Sequence, residues 1–327
     1  MMTDSRLEPD LTMRPIILFL ACVCGVAFGA NAQFNGYWDI TVHDEKHPRA
    51  WWLKIEGADT ATPKGAFISA FAGDLNQIEE ISIDGNEIVF GFRPKAAAAE
   101  PGPRHLVYRA RLVGEKLEGT FAREGQKNPP VTWTGVRAPA IQEKDDGSWR
   151  DGESVDLFNG RDLSGWHALE SDREFKWAAA NGILTGPGHG ANLITDRKFW
   201  NFKLHVEYKI PAKSNSGIGL RARYEVQIRD DDGKLDTHSN GALYSRIPPR
   251  VNATKPPDEW QTFDIRLVGR QVTVVLNGQT IIDHGIIEGL TAIASDPNEG
   301  EPGAIILQGD HGAVEFRSIK LTPLVQR

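Results

Sequence analysis

Apolar and polar residues alternate in short runs along almost the whole chain, and stretches with helical spacing are nearly absent. Period two places successive side chains on opposite faces of a strand, so the pattern confines the chain to an all-β architecture. Residues 36–43, 49–56, 65–72, 78–83, 87–93, 106–112, 116–123 and 131–136 read as strands, separated by turn signals such as Asp84-Gly85-Asn86 and Val113-Gly114-Glu115. Strands this short and closely spaced predict a small N-terminal β-barrel or sandwich over 33–137, expected to be an accessory domain. The alanine-rich stretch 94–103 reads as a loop, and the polar, turn-rich stretch 138–153 as a linker. From 154 to 327 the strands lengthen, at 201–210, 262–268, 271–276, 279–283, 304–308 and 313–322. Asn277-Gly278 supplies the two positive-φ residues of a type I′ hairpin turn. This half is predicted to be a jelly-roll β-sandwich.

The first 32 residues are expected to be removed. Met13-Arg14-Pro15, the apolar run 16–28 and Ala30-Asn31-Ala32 have the order of a secretory signal, with cleavage after Ala32 and residues 1–12 as an upstream extension. Cys22 and Cys24 are the two cysteines of the chain and both fall in that run. The expected mature product is therefore cysteine-free, without a transmembrane segment, and periplasmic or extracellular. A net charge of −7 disfavours a nucleic-acid partner, which needs a basic face.

Residues 214–230 carry the densest chemistry. Ile218, Leu220, Ala222, Tyr224, Val226 and Ile228 share one parity, while Gly219, Arg221, Arg223, Glu225, Gln227 and Arg229 share the other. One face is core. The other is a row of guanidinium, carboxylate and amide groups, which reads either as a solvated outer face or as a sugar-binding face, since these groups make several directed hydrogen bonds each.

Leu157-Phe158-Asn159-Gly160-Arg161-Asp162-Leu163-Ser164-Gly165-Trp166 resembles the opening motif of the 3-keto-disaccharide hydrolase domain family. Asn181-Gly182-Ile183-Leu184, Phe199-Trp200-Asn201-Phe202, Asn215-Ser216-Gly217-Ile218, Tyr224-Glu225-Val226-Gln227-Ile228, Gly241-Ala242-Leu243-Tyr244, Glu259-Trp260, Leu276-Asn277-Gly278, Leu307-Gln308 and Phe316-Arg317-Ser318-Ile319 follow in order over residues 154–323. The sequence departs at Asp231-Asp232-Gly233 and at Gln261, where the family commonly has Asn. The resemblance implies a concanavalin A-like or glucanase-like jelly roll that cleaves the glycosidic bond of 3-keto-glycosides, as hydrolase or lyase. It implies a 3-keto-sugar or glycan substrate, supplied by an upstream glycoside 3-dehydrogenase.

Such chemistry needs a base for the C2 proton, a partner for the enolate and an acid for the leaving oxygen. Glu225, the sole carboxylate of the polar row, is the candidate base, and a salt bridge to a neighbouring arginine is its structural alternative. Arg223 and Arg221 are candidates for steadying the enolate or sugar hydroxyls, and His311 for acid or base. Asn215, Gln227, Gln308, Arg317, His238 and Lys255 are candidate sugar contacts, with Tyr244 and Trp260 as stacking platforms. No cofactor is expected. A divalent metal such as Ca2+ stays open, because Asp230-x-Asp232-Gly233 with Asp236 forms part of an oxygen-rich loop. A non-catalytic lectin-like protein and a conventional endo-glucanase are the competing readings; the latter needs paired carboxylates on one strand face.

Overall fold

The computed structural model describes residues 31–70, 72–94, 105–123, 125, 129–231 and 233–326. Residues 1–30 of the expected signal segment and residues 95–103 of the 94–103 loop lie outside the described residues. No helix among the described residues is long and apolar enough to cross a membrane.

Among the described residues the first half forms nine antiparallel strands: β1 (Gly36–Val42), β2 (Ala50–Glu56), β3 (Lys64–Ile68), β4 (Leu75–Gln77), β5 (Glu80–Asp84), β6 (Glu87–Phe92), β7 (Leu106–Val113), β8 (Lys116–Arg123) and β9 (Val131–Arg137). Their order is β4-β3-β2-β1-β9-β8-β7-β6-β5, so the two edges are consecutive in sequence. The backbone joins them: Ile78 N donates to Gly65 O of β3 at 2.9 Å, and Glu79 N to Gly91 O of β6 at 3.2 Å. One extended segment thus closes the sheet into a barrel, which removes its free edges. The interior is filled by Trp38, Trp51, Trp133, Tyr108, Phe34, Phe67 and Phe90, all nearly inaccessible to solvent. It is a packed core with rings stacked on one another, as for Phe90 and Tyr108 at 4.9 Å.

The second half has β10 (Trp149–Asp151), β11 (Val155–Asp156), β12 (Trp166–Ala168), β13 (Ala178–Ala180), β14 (Ile183–Gly186), β15 (Leu193–Thr195), β16 (Phe202–Lys209), β17 (Asn215–Leu220), β18 (Tyr224–Arg229), β19 (Gln261–Val268), β20 (Gln271–Leu276), β21 (Gln279–Ile286), β22 (Ile306–Leu307) and β23 (Val314–Gln326). A large sheet runs β13-β14-β23-β16-β19-β20-β21, with β10 and β11 added on β23, and a smaller one runs β12-β15-β22-β17-β18. The inward residues of both, among them Ile218, Val226, Val206 and Phe263, share one hydrophobic cluster. This is a jelly-roll sandwich. Asn277 and Gly278 adopt positive φ, at 50° and 82°, as the hairpin signal requires.

Segment 138–153 differs from a free linker. Asp145 is forked by Arg266 at 2.6 and 2.7 Å. Glu143 accepts from Trp200 Nε1 at 3.1 Å, and Trp149–Asp151 pairs with the end of β23. Its polar residues bind the outside of the sandwich, which composition cannot distinguish from solvent contact.

The halves are joined through β2. Trp51 and Trp52 are adjacent, so they point to opposite faces, and both are 0% exposed. Trp51 enters the barrel, while Trp52 joins the sandwich cluster with Ala50, Ala66 and Ile68. Arg246 lies over the Trp52 ring at 4.2 Å. A Cβ at Gly289 would lie 2.0 Å from Trp52 Nε1, so only glycine admits the indole there. Ala50 N donates to Ala294 O across the junction at 2.8 Å.

Candidate active site

The polar row of residues 214–230 is a hairpin and not one strand. It turns at 221–223, where Arg221 and Ala222 have φ of 54° and 57° and Arg223 N donates to Leu220 O at 3.0 Å. Left-handed backbone is costly without glycine, and the arginine side chains offset that cost. Arg221 donates to Trp200 O at 2.6 Å, Gly269 O at 2.9 Å and Asn201 Oδ1 at 2.8 Å, and stacks 3.9 Å from the Trp200 ring centre. Arg223 donates to Glu301 O and Asp296 Oδ2, both at 2.7 Å. Both are 0% exposed. Their guanidiniums anchor the turn, and the structure does not bring Arg223, expected as a catalytic group, or Arg221, expected as a sugar contact, to the cavity that Glu225 lines.

The strand arms keep the expected alternation. Ile218, Leu220, Tyr224, Val226 and Ile228 enter the core. Asn215, Glu225 and Gln227 face away from it, with Gly217 opposite Gln227 and Gly219 opposite Glu225. The Glu225 side chain folds over Gly217, where a Cβ would sit 2.4 Å from Oε1. Glycine there is what gives the carboxyl its place.

Asn215, Glu225 and Gln227 line a cavity of about 140 Å³ with Tyr244, Gln308, Asp310 and His311. Glu225 is 2% exposed. Burial pushes its pKa up to about 8, against the pull of His311 and with a further push from Asp310. His311 is tied through Nδ1 to Asp310 Oδ1 at 2.6 Å, and Arg173 donates to Asp310 Oδ2 at 3.0 Å. The hydrogen bond to Asp310 raises the imidazole above its usual pKa, against partial burial. The 308–312 loop is stitched to β17: Gln308 N donates to Gly217 O at 2.9 Å and Gly312 N to Asn215 O at 2.8 Å. Glu170 holds Asn192 at 2.8 Å, and Asn192 in turn accepts from Gly309 N at 2.8 Å.

Asn215 Oδ1, Gln227 Oε1 and Gln308 Oε1 are buried and have no hydrogen-bond partner among the described residues. Three unpaired amide oxygens around one cavity are costly for a fold and suited to a ligand rich in hydroxyl donors.

Four predicted contacts lie elsewhere. His238 packs edge-on behind Tyr244, 4.7 Å between ring centres, and reaches Ser245 at 3.3 Å. Trp260 lies between Lys209 at 5.2 Å and Arg317 at 4.5 Å, with Arg317 paired to Glu207. Lys255 Nζ donates to Trp260 O at 2.9 Å. Their strands or loops carry them to the outside of the large sheet, so Lys255, Trp260 and Arg317 cannot touch a ligand beside Glu225. In the acidic loop, Asp230 accepts from Lys213 N at 2.6 Å, Asp231 from Asn240 N at 2.6 Å and Asp236 from His238 N at 2.8 Å. Asp232 is outside the described residues, and among those described no three His, Cys, Asp or Glu side chains group as a metal site.

Asp310 and Arg173 belong to the site although sequence reasoning passed over them. Asp310 was visible as the neighbour of His311, whereas nothing in the sequence around Arg173 marks it.

Residues 153–322 match the model of the 3-keto-alpha-glucoside-1,2-lyase-like domain. The chain belongs to this family. It is 25% identical over 167 residues to the 3-keto-disaccharide hydrolase of Bacteroides thetaiotaomicron, across 40% of this chain, and it spans 58% of the length of that relative. Two structures of candidate glycosyl hydrolases from Parabacteroides distasonis are also similar. One is 23% identical, covering 53% of this chain and 94% of that one, with a TM-score of 0.45. The other is 25% identical, covering 61% and 94%, with a TM-score of 0.46.

Proposed function

We propose that the cavity cleaves the glycosidic bond of 3-keto-glycosides by elimination. The observation that carries this reading is a desolvated carboxyl facing an aspartate-held imidazole across a cavity edged with unpaired amide oxygens. A ketone at C3 acidifies the C2 proton, and a buried carboxylate is a stronger base than a solvated one. Glu225 takes that proton, and the electron pair of the broken C–H bond forms the enolate. The enolate then collapses to the C3 ketone with a C1–C2 double bond, the C1–O bond breaks, and the imidazolium of His311 gives its proton to the leaving oxygen. Addition of water to the enone completes net hydrolysis. Asn215, Gln227 and Gln308 accept sugar hydroxyls, and Tyr244 forms part of the wall.

Glu225 must be ionised and His311 protonated, so the rate rises with pH as the carboxyl loses its proton and falls as the imidazole does. The two limbs belong to the coupled pair. The 3-keto substrate requires an oxidising enzyme upstream. We place the protein in the periplasm or outside the cell on the strength of residues 13–32.

Purified protein incubated with 3-keto-trehalose or a 3-keto-glucoside should release 3-keto-glucose or its 1,2-dehydro form, read by mass spectrometry. Unoxidised trehalose should stay intact. A folded protein that leaves several 3-keto-glycosides untouched would end this reading.

A further inference from the structure

The cavity is not built by the family domain alone: Pro48, Ala70 and Gly73 of the barrel supply part of its wall. The segment that leads to Pro48 also reaches the groups that support the chemistry. Residues 43–49 join β1 to β2, and they meet the sandwich at residues 169–174, between β12 and β13. That second segment carries Arg173, whose guanidinium donates to Asp310 Oδ2 at 3.0 Å. Asp310 in turn holds His311 through Nδ1, which leaves Nε2 for the leaving oxygen.

Segment 169–174 is anchored on two sides. Toward the sandwich, Leu169 N donates to Asn192 O, and the Glu170 carboxylate accepts from Asn192 N and Nδ2, all at 2.8 Å. Toward the barrel, Ser171 N donates to Lys46 O at 3.2 Å, and Asp172 Oδ1 lies 2.8 Å from His47 Nε2. The other ring nitrogen of His47, Nδ1, is 3.2 Å from Asp44 Oδ2. Asp44 Oδ1 accepts from Lys46 N at 3.1 Å and from His47 N at 3.2 Å, and Arg49 Nη1 lies 4.0 Å from Oδ2. The turn at 44–47 thus fixes the His47 ring, and the ring reaches the residue next to Arg173. The Arg173 side chain keeps about a third of its surface in solvent. An ion pair that exposed holds little geometry by itself, so its alignment depends on where the segment places it.

We propose that His47 is a positioning residue for the proton donor: by holding Asp172 it fixes the segment from which Arg173 aligns Asp310 and, through it, the His311 imidazole. The role in turnover rests on the 3-keto reading. His47 touches no substrate and passes no proton. The barrel therefore does more than bound the cavity; it completes the support of an acid that the sandwich encodes. A catalytic group displaced by an ångström loses much of its rate, which is why a contact this far from the reacting bond matters.

The test uses the full chain and two readouts. One is kcat and KM on 3-keto-trehalose. The other is the titration of His311 by NMR, its resonance assigned against His311→Gln. His47→Ala and Asp172→Ala should each lower kcat by about 10- to 10²-fold, the scale of a misplaced catalytic group, with KM within about threefold. The His311 titration should move down in both. Its bond to Asp310 is the strongest influence raising the imidazole, with the charges of Asp310 and Glu225 behind it and Arg173 and burial opposing. The double variant should be no slower than either single one, because both remove the same contact. Asp172→Asn takes away the charge but keeps an oxygen beside His47 Nε2, so it should restore most of kcat and of the titration. If His47 is merely structural, the alanine variants melt earlier while kcat per folded molecule and the His311 titration stay at wild-type values. That outcome overturns the assignment and leaves the 3-keto reading intact, as do losses that add in the double variant. If His47→Ala does not fold, Asp172→Ala decides, at a side chain 40% exposed. Wild-type protein that cleaves no 3-keto-glycoside removes the 3-keto reading; the His311 titration then decides the contact, and an unchanged titration rejects it.

Discussion

The two ends of the β17–β18 hairpin hold similar residues in opposite states. At the turn, Arg221 and Arg223 are buried with their guanidiniums bonded to carbonyls and side chains. Along the arms, Asn215 and Gln227 are left with unpaired oxygens, and Glu225 is buried against its own ionisation. Burial of a polar group therefore says little until its partners are counted. The satisfied end supports the fold, and the unsatisfied end is arranged for something the protein does not itself contain.

The comparison breaks first at Glu225. Glu225→Gln should lower turnover by about 10²- to 10⁴-fold, the range for loss of a general base, without lowering stability. The sign follows from the raised pKa. The neutral carboxyl's contribution is fully present below the ordinary glutamate value and is lost as pH rises through about 8. The melting advantage of the Gln variant should thus open between those values, at about 1.4 kcal/mol per pH unit, and level off above 8. A variant that melts earlier at every pH would show that Glu225 belongs to the satisfied class.

Arg221→Leu tests the other end. It takes the guanidinium from the Trp200 and Gly269 carbonyls and leaves Asn201 Oδ1 with Gly269 N alone, and should cost about 3–5 kcal/mol in chemical denaturation, while the folded fraction keeps its turnover number. Gln308→Leu should raise KM about tenfold, roughly one hydrogen bond to a ligand, with melting unchanged or slightly higher because an unpaired amide is removed. Trp260→Ala is the smallest expected effect: kinetics within about twofold of wild type, since the ring lies outside the cavity. A tenfold rise in KM there would place sugar on the outer face of the large sheet.

The same contrast sets how far the sequence could be read. Alternation found the strands and put Glu225 and Gln227 on one face, because that depends on neighbours in the chain. It missed the turn between them, since Leu220-Arg221-Ala222-Arg223-Tyr224 contains no glycine, asparagine or proline. The conformation is held by Trp200, Asn201, Gly269 and Asp296, contacts that are remote in sequence. Segment 138–153 looked like a linker for a related reason: charges bound to Arg266 and Trp200 read the same as charges in water. Trp260 and Arg317 were drawn in by residue type, and only the placement of their strands and loops separates them from the cavity. That the barrel is an accessory unit covering or extending the site could be expected; which of its residues form the wall was not legible, because that wall exists only where two separately encoded halves meet.

The shared wall divides the labour of recognition along the gene. Glu225 and His311 are encoded in the sandwich, while Pro48, Arg49 and Gly73, which bound the space beside them, come from the barrel. Changes in the segments 44–49 and 72–74 should reshape the space beside Glu225 without disturbing the strands that hold the carboxyl. On the proposed 3-keto reading, a related chain with a different cap in that place would keep the same chemistry and serve different glycosides.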